Sequence, residues 1–176
     1  MPATPSLIAR LDRTGVPLLL ARLILGGLLI WMGIVKVLAP IDFLKLMRQY
    51  QMLDEQSAYV FLNLVAVVLP WVETLCGVAL VLGLGVRGAG LLSGGMLLVF
   101  TPLILKRGLE LYQAGTLAFC GVKFDCGCGA GEVYLCNKLA ENIALLLLSL
   151  LVVFSRTRRF CLERWWHLRP ATSATG

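Results

Sequence analysis

The sequence has one histidine, His167, and it stands in the polar C-terminal tail. A bis-histidine haem is therefore excluded within this chain, and a histidine-rich metal site with it. Charge is scarce as well: 15 % of the 176 residues are Asp, Glu, Lys or Arg, against ~25 % in soluble domains. With 59 % hydrophobic residues besides, an ordinary soluble domain is excluded. What fills the chain is a recurrence of apolar runs long enough to cross a bilayer, which makes it an all-α polytopic membrane protein. The net charge of +6 does not point to nucleic acid, because the basic residues flank apolar runs instead of forming one groove-sized patch.

Four spans are expected, at about 16–39, 58–82, 88–105 and 139–154. Arg10 and Arg13 precede the first run like the basic front of a signal sequence. That run is too long for a signal core and lacks a small-residue cleavage site, so it reads as an uncleaved transmembrane helix. Between the first two spans, residues 40–56 place Phe43, Leu44, Leu46, Met47, Tyr50 and Leu53 on one side of a helix that lies in the membrane interface. The third span carries Gly90 and Gly94 in a small-x-x-x-small pattern suited to close helix packing. Residues 106–137 form a loop, and 155–176 a basic tail whose five arginines surround Trp165 and Trp166 as an interfacial anchor.

Loop charge sets an orientation. Arg10, Arg13, Arg87 and the five tail arginines share one side of a four-span chain. Lys45, Arg48, Lys106, Arg107, Lys123 and Lys138 lie on the other. The excess places both termini in the cytoplasm and the 106–137 loop outside, where disulfides form and persist.

Four charges fall within or at the mouths of the spans: Arg22, Lys36, Glu73 and Glu141. Such charges are costly in lipid and face the bundle interior. At ~1.5 Å per residue, Arg22 lies roughly 9 Å deep and Glu73 roughly 16 Å deep from the same surface. That gap makes Arg22–Glu73 the expected pair, with Lys36 and Glu141 both near the opposite surface. Paired charges of this kind fix helix register, relay protons or hydrogen-bond a quinone headgroup.

Four of the six cysteines, Cys120, Cys126, Cys128 and Cys136, crowd into the one long polar interval. Three chemistries fit them, beside a reading in which the thiols are unpaired and inert. A disulfide between Cys126 and Cys128 closes a small ring around Gly127 and is readily exchanged. Two static disulfides are open to the same four residues in three connectivities. A metal centre is the third reading, although C-x5-C-x-C-x7-C lacks the usual pair of C-x2-C clips.

The layout resembles the MauE/DoxX family of redox-associated membrane proteins. The resemblance rests on Arg22-x3-Gly26, Gly33-x2-Lys36, Leu69-Pro70-Trp71-Val72-Glu73 with Gly77 one turn on, Arg87 opening the third span, and Cys126-Gly-Cys128-Gly before the last. It covers roughly residues 17–154. The chain departs from the pattern at Gly129, where a phenylalanine is common, and at Glu141-Asn142, where an arginine often precedes the asparagine. Cys120 and Cys136 are additions. The resemblance implies a four-helix protein of thiol–disulfide or sulfur redox chemistry. MauE-like members are associated with disulfide formation in a periplasmic enzyme beside a thioredoxin-like partner, DoxX-like members with sulfur oxidation coupled to quinone.

Two function classes follow. In the first, the chain is an inner-membrane thiol–disulfide oxidoreductase. Cys126 and Cys128 exchange, Cys120 and Cys136 form a second pair that resolves or supports them, and electrons pass between a periplasmic thiol protein and a quinone. In the second, it is a non-catalytic subunit or assembly factor of a larger membrane complex, and its disulfides are static. A small transporter is disfavoured, since no inverted repeat is evident.

Overall fold

The computed structural model describes residues 15–49, 55–115, 118–125 and 131–155. Among the described residues there are five helices: α1 (Val16–Leu38), α2 (Pro40–Gln49), α3 (Glu55–Leu82), α4 (Val86–Ala114) and α5 (Leu135–Phe154). A single 3-10 turn (Phe119–Gly121) and two three-residue strands, β1 (Lys123–Asp125) and β2 (Glu132–Tyr134), stand between α4 and α5. Four of the helices, α1, α3, α4 and α5, are long and apolar enough to cross a membrane. The fold is thus an all-α polytopic membrane bundle with a short amphipathic helix at one side. Its outward faces are apolar, with Trp31, Leu38, Val60, Phe61, Val67, Trp71 and Leu75 all more than half exposed. Lipid is the solvent that such faces require.

The helices pack mainly as two antiparallel pairs, α1 with α3 and α4 with α5. Glycine makes the first seam close. A methyl carbon at Gly26 would stand 2.8 Å from the Gly77 carbonyl oxygen, and one at Gly77 would stand 2.7 Å from the Gly26 carbonyl oxygen. Only backbones without side chains approach so nearly. The second seam is tied by hydroxyls: Ser149 donates to the Gly90 carbonyl at 2.7 Å, and Ser93 donates to the same oxygen at 3.0 Å. Between the pairs lies a core of Leu18, Leu25, Leu29, Leu80, Leu97, Leu145 and Val152.

Pro70 lies inside α3 without ending it. Its ring removes a backbone donor, and its own carbonyl accepts the Thr74 hydroxyl at 2.8 Å. The helix stops at Gly83, whose φ of 77° only glycine adopts freely. There the Leu84 amide donates to the Ala79 carbonyl and the Gly83 amide to that of Leu80, closing a Schellman turn. Gly85 then starts α4.

Two elements differ from the sequence expectation. The helix of the third span, α4, runs past 105 to Ala114, carrying Lys106 and Arg107 inside it. Both pair with Glu110, at 3.9 and 3.3 Å, and such i,i+3 and i,i+4 pairs support a polar helix where apolar periodicity has ended. The last helix begins at Leu135, four residues before the apolar run. Of the amphipathic helix expected over 40–56, Pro40–Gln49 is helical and buries Phe43 and Met47 against Leu62 and Ala66 of α3. Tyr50 and Leu53 lie outside the described residues, and residues 55–56 open α3.

Candidate functional site

The remaining polar interval folds onto one end of the bundle. β1 and β2 pair antiparallel, Phe124 opposite Val133. Val122, Phe124 and Leu135 form a small apolar core with Ile104 of α4. Alternation does this: Phe124 points inward while Lys123 and Asp125 point out. The outward Lys123 ammonium lies 4.9 Å from the centre of the Tyr134 ring, a cation–π contact across the strands.

A disulfide joins Cys120, in the 3-10 turn, to Cys136, in the first turn of α5, with a Cα–Cα distance of 5.0 Å. Of the three connectivities open to the four clustered cysteines, this bond selects the one that leaves Cys126 and Cys128 to each other. Those two fall in the connection between β1 and β2, outside the described residues. Cys120 is exposed and Cys136 half-buried, so the bond faces outward from the hairpin base. Cys76 is a free cysteine buried in α3.

The intramembrane charges are arranged differently from the expectation. Glu73 pairs with Lys36, not Arg22: the Lys36 ammonium lies 2.7 Å from each carboxylate oxygen. Both side chains are more than nine-tenths buried. Arg22, fully buried, donates instead to the carbonyls of Leu80 and Val81 at 2.8 and 3.2 Å. Counting depth cannot separate the two outcomes, but side-chain direction can. Helical side chains lean toward their own N-terminus. In antiparallel α1 and α3, with Gly26 opposite Gly77, Lys36 and Glu73 therefore lean toward each other. Arg22 leans the opposite way, toward the C-terminal end of α3, where carbonyls lack helical partners and a cation is favoured.

Lys36 and Glu73 open onto a cavity of about 70 Å³ to which all five helices contribute. Leu29, Met32, Phe43, Phe100 and Ile104 supply apolar wall. Ser93, Lys138 and Asn142 supply the rest of the polar surface. The Lys36 ammonium also lies 5.1 Å from the centre of the Phe43 ring, which holds the amphipathic helix over the pair. Lys138, 4 % exposed, donates to Glu141 at 3.0 Å, and the Glu141 side chain is 43 % exposed. Asn142 donates to the Thr101 hydroxyl at 3.2 Å. Glu141 is thus near the cavity without lining it.

Sequence reasoning missed Lys138, counted as a loop charge, and Ser93. The signal was present. Lys138, Asn142, Leu145, Ser149 and Val152 recur at three- and four-residue intervals, and all five are buried, the stripe of one inward helix face. Ile104 belongs both to the cavity wall and to the apolar core under the hairpin. The disulfide, the hairpin and the charged cavity therefore form one continuous region.

A four-helix membrane bundle with a paired charge in its interior and a disulfide at the base of a hairpin at one end defines a class: a small polytopic helical membrane protein. The chain belongs to the MauE family, described as methylamine utilisation protein MauE, whose model matches residues 14–155. That match spans all four membrane helices and the hairpin, and links the chain to membrane redox or cofactor maturation. No curated protein and no solved structure matches the chain.

Proposed function

We propose that this protein is a thiol–disulfide oxidoreductase of the bacterial inner membrane, with both termini cytoplasmic and the hairpin in the periplasm. Cys126 and Cys128 are the exchanging pair, and the Cys120–Cys136 bond supports the loop that carries them. The observation that carries the reading is that bond. It ties down both flanks of the segment holding Cys126 and Cys128, and this supports the reading of those two as each other's partners. The arginine excess on the opposite side supports the orientation, and an oxidising compartment is where such a bond persists.

The exchange balances as follows. A thiolate of a periplasmic protein, of thioredoxin-like or substrate type, attacks the Cys126–Cys128 disulfide. One cysteine leaves as thiolate while a mixed disulfide forms. The partner's second thiolate resolves it, so the partner is oxidised by two electrons and both Cys126 and Cys128 end as thiols. Returning them to the disulfide takes a two-electron acceptor, for which the bilayer supplies quinone. The charged cavity has the donors for a quinone carbonyl in Lys36, Lys138 and Asn142, but not the room. A cavity that takes benzene measures ~150 Å³, about twice this one, so no part of that step is assigned to it.

A second reading has one observation in its favour. The Cys120–Cys136 bond joins the 3-10 turn to the first turn of α5, next in sequence to Phe119 and Leu135 of the apolar cluster, as a structural staple would, and a subunit or assembly factor of a larger complex needs nothing more. Trapping separates the two. In cells, Cys128→Ser or Cys126→Ser should accumulate a mixed disulfide with a specific partner, whichever leaves the attacking thiol in place. If neither variant traps a partner while both reach normal abundance, exchange at this pair is refuted.

A further inference from the structure

We infer that the cavity is a hydrated proton-exchange site, in which Lys138 passes protons between Glu141 at the hairpin-side surface and Glu73 inside the bundle. Its use rests on the redox reading above; its existence does not.

Size and lining point to water as the content. A water needs about 10–15 Å³ of cavity measured in this way, and about 70 Å³ holds several. Five of the twelve lining residues, Lys36, Glu73, Ser93, Lys138 and Asn142, offer such waters donors and acceptors, and the rest of the wall is apolar. The charged and amide side chains supply the roughly two to four polar partners a water needs, which a wholly apolar cavity lacks.

The titratable groups are placed in series. Glu141 is exposed enough to exchange protons with bulk water, and its carboxylate accepts from Lys138 at 3.0 Å. Lys138 is buried but lines the cavity, and Glu73 lines it too, held by Lys36 at 2.7 Å. The groups facing Glu73 are Lys36 from α1, Lys138 from α5 and Cys76 one turn along its own helix, close enough to feel its charge. α2 contributes Phe43 and α4 contributes Ser93, neither of which titrates in water. Arg22 is turned away to the end of α3.

The transfer balances. The Lys138 ammonium gives one proton to a cavity water, the water chain delivers one to the Glu73 carboxylate, and Lys138 regains one from Glu141 or from bulk through it. The net change is one proton moved from the surface to Glu73. In the redox cycle this has a purpose, because thiols that form a disulfide release two protons at the surface where the relay begins.

The test is time-resolved infrared spectroscopy of the full-length protein in lipid nanodiscs after a pH jump. The carboxyl band of Glu73 is assigned by its shift in Glu73→Asp. The expected result is protonation of Glu73 in the wild type, slowed at least about tenfold in Glu141→Gln and in Lys138→Arg. Arginine keeps the charge but does not release its protons. Wild-type rates in Lys138→Arg would make Lys138 purely electrostatic and overturn the relay. So would a Glu73 that does not titrate from about pH 4 to about pH 9. Should Lys138→Arg fail to fold, Glu141→Gln at its half-exposed position decides, and an unchanged rate there overturns the proposal. Protein carrying Cys126→Ser and Cys128→Ser should respond at the wild-type rate, so failure of the proton route and failure of thiol exchange are separate outcomes.

Discussion

Removing the Lys36 ammonium leaves the Glu73 carboxylate buried against apolar wall and the Phe43 ring. Breaking a buried pair from one side typically costs ~3–5 kcal/mol. Lys36→Met and Glu73→Met should each lower the thermal midpoint in detergent by that order, and the double variant should recover part of the loss. Arg22→Gln combined with Glu73→Met should be additive, since Arg22 bonds α3 carbonyls and not the carboxylate. A coupling between Arg22 and Glu73 as large as that between Lys36 and Glu73 would contradict the assigned pairing. Arg22, Lys36 and Glu73 are all buried, and that they fall inside apolar helices was legible in the sequence. Which of them meet was not, because depth along a span carries no information on the lean of a side chain. Lys138 was hidden for another reason: it precedes the apolar run and reads as loop until α5 is seen to start at Leu135.

Among the elements, the α1–α3 seam depends on the absence of two side chains. Gly26→Val places its branches against the Gly77 carbonyl and the side chains of Val81 and Leu80. The helices must part, at a cost of about 1–3 kcal/mol or more, while Gly27→Val, with open space around it, should cost far less. Comparable midpoints for the two variants would mean that the seam is looser than described. The hairpin offers a second test. Cys120→Ser opens a loop whose ends are 16 residues apart, worth roughly 3 kcal/mol of chain entropy, and should raise the thermolysin sensitivity of residues 118–134 before that of the helices. The four spans and the amphipathic α2 were readable from hydrophobic periodicity, which α2 shows in its buried Phe43 and Met47. The two short strands were not readable. Three residues apiece give too little alternation to register, and Leu135, fully buried beneath them, belongs by sequence to no apolar run.

For the whole molecule, the orientation is tested from outside the cell. In reduced, intact cells a membrane-impermeant thiol reagent should label Cys126 in preference to Cys161, and preferential labelling of Cys161 would invert the topology and remove the oxidising compartment. The buried pair has a consequence on this same scale. As drawn, Lys36 and Glu73 carry no net charge, so the electric field across the membrane exerts no net force on them. Protonating Glu73 changes that, because it leaves one positive charge part of the way through the field. Moving one charge across the full membrane is worth ~2.3 kcal/mol per 100 mV, and a charge stopped inside takes a fraction of it. A proton delivered to Glu73 by the proposed relay would move charge along that field, so the step would be coupled to the membrane potential as well as to the chemistry at the surface.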